Sequence, residues 1–215
     1  MLAFRAASGF LKRQRPPHML ELFRKGGPIM WPLLVLSIVA LTVVLERLVF
    51  IARARARRSA ADVDAMLTQV ERGDLDSAAN TGISSQDFVA RALAYALTHR
   101  GRSFSEAMLR AANWELKRFS RGLTILDTTI TLAPLLGLLG TVTGMIRSFG
   151  MLGGAELGAP SAITGGIAEA LIATAFGLGI AITALLPFNY LNARLEEARL
   201  EMQDAAIHAE IHLKK

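Results

Sequence analysis

Glu169 is the only charged residue between Glu156 and Arg194, and Asp127 the only one between Arg121 and Arg147. A charge at the centre of a bilayer costs about 2.5 to 3.5 kcal/mol on insertion scales, so an intramembrane carboxyl calls for a compensating use. Desolvation favours the neutral acid, which would let Glu169 hold a proton at rest and ionise when water or a cationic partner reaches it. That is the chemistry of a proton relay. The alternative is a rim glutamate near the water interface, because Glu169 stands few residues into the apolar stretch if a helix begins near Ser161. Within the spans Glu169 is given no basic partner to hold its charge permanently; Arg147 marks a span end.

Thr141 and Thr174 carry hydroxyls that both donate and accept, as a hydrogen-bonded path for protons or water requires. A threonine in a membrane helix can instead bond the carbonyl one turn back on its own helix. At 100° per residue Thr174 lies about 140° around the helix from Glu169, so a shared path needs neighbouring helices. Thr124, Asp127, Thr128 and Thr131 fall on one helical face. That stripe would line a polar vestibule, or Asp127 would simply reach the headgroups. Pro134 removes a backbone hydrogen bond mid-span and makes either a kink or a place for water.

Other chemistry is poorly represented. His208 and His212 have the i, i+4 spacing of a metal pair, but no H-E-x-x-H pattern encloses them, and a solvated helix face is the expectation. No P-loop, dinucleotide fingerprint or nucleophile elbow occurs, so neither a cofactor nor an enzymatic activity is expected, and energy would not come from ATP held by this chain. The chain has no cysteine, which excludes disulfides and thiol chemistry.

The elements that must carry these groups are membrane spans. Of 215 residues 52% are hydrophobic and 20% charged, and the apolar ones fall in runs long enough for a bilayer core. Residues 28–51, 122–147 and 163–187 are the three expected transmembrane helices. The first is too long for a signal-peptide core, so it is expected to be retained. Gly137, Gly140 and Gly144 in the second span, and Gly165, Gly166, Gly177 and Gly179 in the third, permit close helix approach, as though these spans pack on several sides.

A net charge of +6 could suggest nucleic acid as a partner, but the basic residues flank the apolar runs, a placement that suits orientation in a lipid membrane. Twelve Lys and Arg lie in residues 52–121 and four from residue 188 onward, against six in the N-terminal segment. The loop and the tail, residues 188–215, are therefore expected in the cytoplasm, with the N-terminus and the connection 148–162 outside. Residues 1–27, where Arg5, Lys12, Arg13, Arg15, Arg24 and Lys25 interleave with Phe4, Phe10, Leu11, Leu20 and Phe23, form either an interfacial helix or a disordered basic arm.

Residues 52–121 read as short helices. Gly73 and Asp74 break one; Ser84 with Asp87 and Ser103 with Glu106 have capping-box spacing. No strong breaker follows Ser103 until Gly122, so one long helix could run into the second span. In the tail, Leu191, Leu195, Ala198, Met202, Ala205 and Ala209 recur at alternating spacings of four and three. They form either a seam between parallel-lying helices or the face that packs the tail onto the loop domain. No strand-period stretch of useful length occurs. The expected fold class is all-α, an integral membrane protein with three transmembrane helices, two of them extended into a cytoplasmic helical domain.

Residues 133–146, APLLGLLGTVTGMI, followed by residues 165–182, GGIAEALIATAFGLGIAI, resemble the paired signature of the MotA/TolQ/ExbB proton-channel family, closest to its ExbB and TolQ branch. The resemblance is strong over residues 123–195; the Glu46-Arg47 pair, the G-D-L turn at Gly73 and the three-span layout are compatible with it. It implies a subunit of the bacterial inner membrane that forms a homopentamer around the single transmembrane helices of an ExbD- or TolR-like partner. Proton-motive force would drive movement passed on through a TonB- or TolA-like protein. The threonine of L-G-T-V falls on Thr141, and the glutamate and threonine of E-A-L-I-A-T on Glu169 and Thr174. Where the family usually has A-I-P-A, this sequence has Ala181, Ile182, Thr183 and Ala184, with a proline only at Pro187, which implies a displaced kink. Two rivals belong to other classes. A non-conducting assembly scaffold would leave Glu169 unexplained, and a small-substrate transporter would find little room for a cavity in three spans without an internal repeat.

Overall fold

The computed structural model describes residues 19–101, 103–150 and 160–213. All regular structure among them is helical: α1 (Met19–Lys25), α2 (Met30–Ala56), α3 (Ala60–Glu71), α4 (Leu75–Ser84), α5 (Phe88–Thr98), α6 (Phe104–Ser120), α7 (Leu123–Gly150) and α8 (Pro160–Leu213). Three helices, α2, α7 and α8, are long and apolar enough to cross a membrane. At 1.5 Å per residue, the 54 residues of α8 extend for about 81 Å. The N-terminal basic segment is represented only by α1, with residues 1–18 outside the described residues; so are residues 151–159 of the connection.

The chain forms two compact units, one from the chain up to Ile38 with Thr129–Ile182, the other from Val39–Thr128 with Thr183–Lys215. In the second, the apolar faces of α3 to α6 enclose a core of Val63, Met66, Val70, Val89, Leu93, Leu97 and Met108, and the tail enters it through Ala198, Met202, Ala205 and Ala209. The four-and-three spacing of the tail thus serves its own loop domain, which is the second of the two readings of that seam.

Local chemistry sets the helix ends. Gly73, at φ +80°, and Asp74 separate α3 from α4 as expected. The Asp74 carboxylate accepts from the Ser77 N–H at 3.1 Å, and bonding to Ser77 holds it below its ordinary range. Ser103 caps α6 by accepting from the Glu106 N–H at 3.3 Å. Ser84 does not cap α5. It is the last residue of α4, and after the extended Ser85 the cap is Asp87, whose carboxylate accepts from the N–H groups of Val89 at 2.7 Å and Ala90 at 3.2 Å. Asp87 is fully buried and paired with Arg58, which also meets Glu201 of α8 at 2.7 Å.

The expected single helix from Ser103 into the second span is interrupted. Gly122 adopts φ +81°, a left-handed conformation that ends α6 and lets its own carbonyl accept from the N–H groups of Ile125 and Leu126 at the start of α7. A Cβ there would come within 2.8 Å of Val43. Beside it the buried Arg47 pairs with Glu46 and donates to the Arg118 carbonyl at 2.9 Å, satisfying one of the orphan acceptors at the end of α6.

Candidate proton site on the third apolar helix

In the first unit, α7 and α8 meet along small residues. A Cβ at Gly177 would lie 2.5 Å from the Ala133 carbonyl oxygen, one at Gly137 would lie 3.1 Å from the Thr174 Cα, and one at Gly140 would lie 2.4 Å from the Ala173 Cβ. One at Gly144 would stand 2.9 Å from the Gly166 carbonyl oxygen. Five of the seven expected packing glycines are thus used inside one chain, whereas Gly165 and Gly179 face open space. Within one chain these five form a tight seam between the two helices. Bulky apolar groups such as Leu135, Leu138, Ile146, Leu171 and Ile182 occupy the outer surface of these helices.

Glu169 stands nine residues from Pro160, about 14 Å along α8. Its carboxylate accepts from Arg147 Nη1 at 2.9 Å, and its Oε1 lies against the backbone of Gly27, where a Cβ would stand 1.8 Å away. Gly27 also has φ +73°, so that position requires glycine for both conformation and space. The expectation that the spans offer Glu169 no basic partner is corrected in one respect: Arg147, the residue that marks the end of the second span, pairs with it. The Arg147 side chain is 52% exposed and that of Glu169 21%, which makes the contact one that can open.

The threonines have different partners. Thr174 donates from its hydroxyl across the seam to the Gly137 carbonyl at 3.1 Å. Thr141 donates to the Leu138 carbonyl of its own helix at 2.6 Å. Thr124, Asp127, Thr128 and Thr131 share an exposed face of α7, along which Thr128 donates to the Thr124 carbonyl at 2.8 Å. Pro134 is accommodated within α7 and Pro187 within α8. Arg147 and Gly27 were not legible as site residues. The sequence signals were the position of Arg147 at a span end, read only as a topology mark, and the Gly26-Gly27 pair, whose neighbour across the fold is far away in the chain.

Comparison with known proteins adds a second line of observation. Residues 82–204, which include both glycine-rich stretches, match the family model described as MotA/TolQ/ExbB proton channel family. A Synechocystis protein called ExbB-like 1 is 39% identical over 211 residues, covering 92% of this chain and 79% of its own length. ExbB-like 3 of the same organism is 35% identical over 76% of this chain and 80% of its own length. The Tol-Pal system protein TolQ of Haemophilus influenzae is 40% identical over 89 residues, 41% of this chain and 39% of its own.

Proposed function

The chain belongs to the MotA/TolQ/ExbB proton channel family, in the ExbB and TolQ branch, and from that premise we propose that it is the proton-conducting subunit of an energy-transducing motor in the bacterial inner membrane. Proton entry would be converted to mechanical work on a TonB- or TolA-like protein through a one-span, ExbD- or TolR-like partner. The observation that carries the reading is Glu169, a carboxylate on an apolar helix held by a single half-exposed arginine. An ion pair of that exposure contributes about 0 to 1 kcal/mol where water reaches it, whereas one proton crossing 100 mV releases about 2.3 kcal/mol. Protonating Glu169 releases Arg147, so the proton and the guanidinium compete for one carboxylate. Thr174 ties the neighbouring turn of α8 to α7, and Thr141 lines the second helix; Asp127 and its threonines give α7 a polar face toward the cytoplasmic end.

A homopentamer surrounding the partner helix fits the bulky apolar groups left on the outer faces of α7 and α8. A membrane carboxyl on the partner, brought near Glu169, would share a low-dielectric site with it, and two such groups favour passing one proton over holding two charges. Reconstituted alone in liposomes, the chain is expected to be nearly silent in a proton-flux assay, and adding the partner to switch flux on. High flux from this chain by itself, unchanged by the partner, overturns the proposal.

Orientation has its own test, since the chain offers no native thiol. Ser84→Cys and Gln203→Cys, both at exposed positions, are expected to resist impermeant thiol reagents in intact spheroplasts, and Ala155→Cys to react. The opposite labelling pattern would place the loop and tail in the periplasm.

A further inference from the structure

The sequence spacing left His208 and His212 on a solvated face of the tail, and the fold sets a carboxylate beside that face. Both histidines project from one side of α8 toward Glu71, the last residue of α3, which is 137 positions from His208 in the chain. Glu71 Oε1 is 2.7 Å from His208 Nε2 and 3.9 Å from His212 Nε2, and the two imidazoles stack with centroids 5.3 Å apart. One ligand atom from each of the three residues lies within 4.8 Å of the others. Two protein ligands about 2.1 Å from a tetrahedral zinc ion stand roughly 3.4 Å apart, a separation that the two measured distances bracket.

We propose that Glu71, His208 and His212 form a binding site for a divalent transition metal, zinc in the first instance, that fastens the C-terminal part of α8 to α3. Imidazole and carboxylate together suit zinc, whereas magnesium and calcium prefer an all-oxygen shell. The three side chains are 42%, 44% and 28% exposed, so a metal can enter from water and a water molecule can take the fourth position. The site joins two elements of the same compact unit, α3 of the loop domain and the tail, beside the core that Ala205 and Ala209 enter. It is separate from the proton site and does not rest on that assignment.

The test uses the untagged full-length chain in detergent, stripped with a chelator and titrated with zinc chloride. One zinc ion per chain is expected, with a rise in melting temperature that the chelator reverses. His208→Ala and His212→Ala are each expected to weaken binding by about tenfold or more. Both positions are solvent-accessible, so an unchanged helical circular dichroism spectrum is expected to show that the variants fold. Cobalt in place of zinc should give the intense visible bands of a four-coordinate site with nitrogen and oxygen ligands. The proposal is overturned if the native chain takes up no zinc, if His208→Ala with His212→Ala binds it as tightly as the native chain, or if cobalt shows only the pale spectrum of a hexahydrate. In those cases the cluster is a Glu71–His208 ion pair and nothing more.

Discussion

Glu169→Gln is expected to reduce partner-dependent proton flux to the level of liposomes that lack the partner, while the complex still assembles. The substitution preserves the length of the side chain and an oxygen able to accept from Arg147, but not the group that takes up and releases a proton. Where water reaches the pair, the loss of charge pairing is worth about 1 kcal/mol or less, too little to unfold the chain. Flux and melting temperature therefore separate in this variant. Thr174→Val should behave differently, because its hydroxyl bridges α8 to the Gly137 carbonyl on α7. Removing that bond costs about 1 kcal/mol, so flux and stability should fall together. Thr141→Val, whose hydroxyl serves only its own helix, should have the mildest effect of the three. Full partner-dependent flux in Glu169→Gln would make the glutamate a structural residue and end the relay reading.

Gly177→Val is the substitution expected to do most damage to the fold of the first unit. The new Cβ would stand 2.5 Å from the Ala133 carbonyl oxygen and 3.1 Å from the Gly137 Cα, both backbone atoms that no rotamer change can move aside. Overpacking of this kind costs typically about 1 to 3 kcal/mol, and separating the helices would also break the bond from Thr174. The melting temperature in detergent is expected to fall by several degrees with loss of assembled complex. Gly179→Val supplies the comparison, since nothing lies within 4 Å of a Cβ built there. Equal losses at the two positions would mean that the α7 and α8 seam is not what requires glycine at position 177.

Features written in local sequence were legible. The apolar runs gave α2, α7 and α8, the Gly73-Asp74 pair ended α3, and Ser103 marked the start of α6. The break at Gly122 was missed because a glycine leading into apolar sequence reads equally as a tolerated helical residue; only its positive φ decides. Asp87 displaced Ser84 as the cap for a related reason. Both have the side-chain chemistry, and the extended Ser85 that ends α4 selects between them. The pairings Arg147 with Glu169 and Glu71 with His208 lie 22 and 137 residues apart, beyond any helical periodicity. At the candidate proton site, the glutamate was therefore apparent from its cost in an apolar helix, but the arginine and the glycine against it were not.

The interruption at Gly122 sets where the hydrogen-bond ladder along these helices is broken. An α-helix carries compression and twist through its ladder of i to i−4 hydrogen bonds, which makes it a rod. Helix α8 keeps that rod from Pro160 to Leu213, with the missing N–H of Pro187 as its one internal gap in donors. Between α6 and α7 the ladder stops at the Arg121-Gly122 link, beside which the guanidinium of Arg47 on α2 holds the Arg118 carbonyl of α6. The α6–α7 link can thus rotate about the glycine, whereas α8 contains no positive-φ residue among its described positions. The third apolar helix is thus unbroken in its own hydrogen bonding apart from Pro187, and the second begins at a joint.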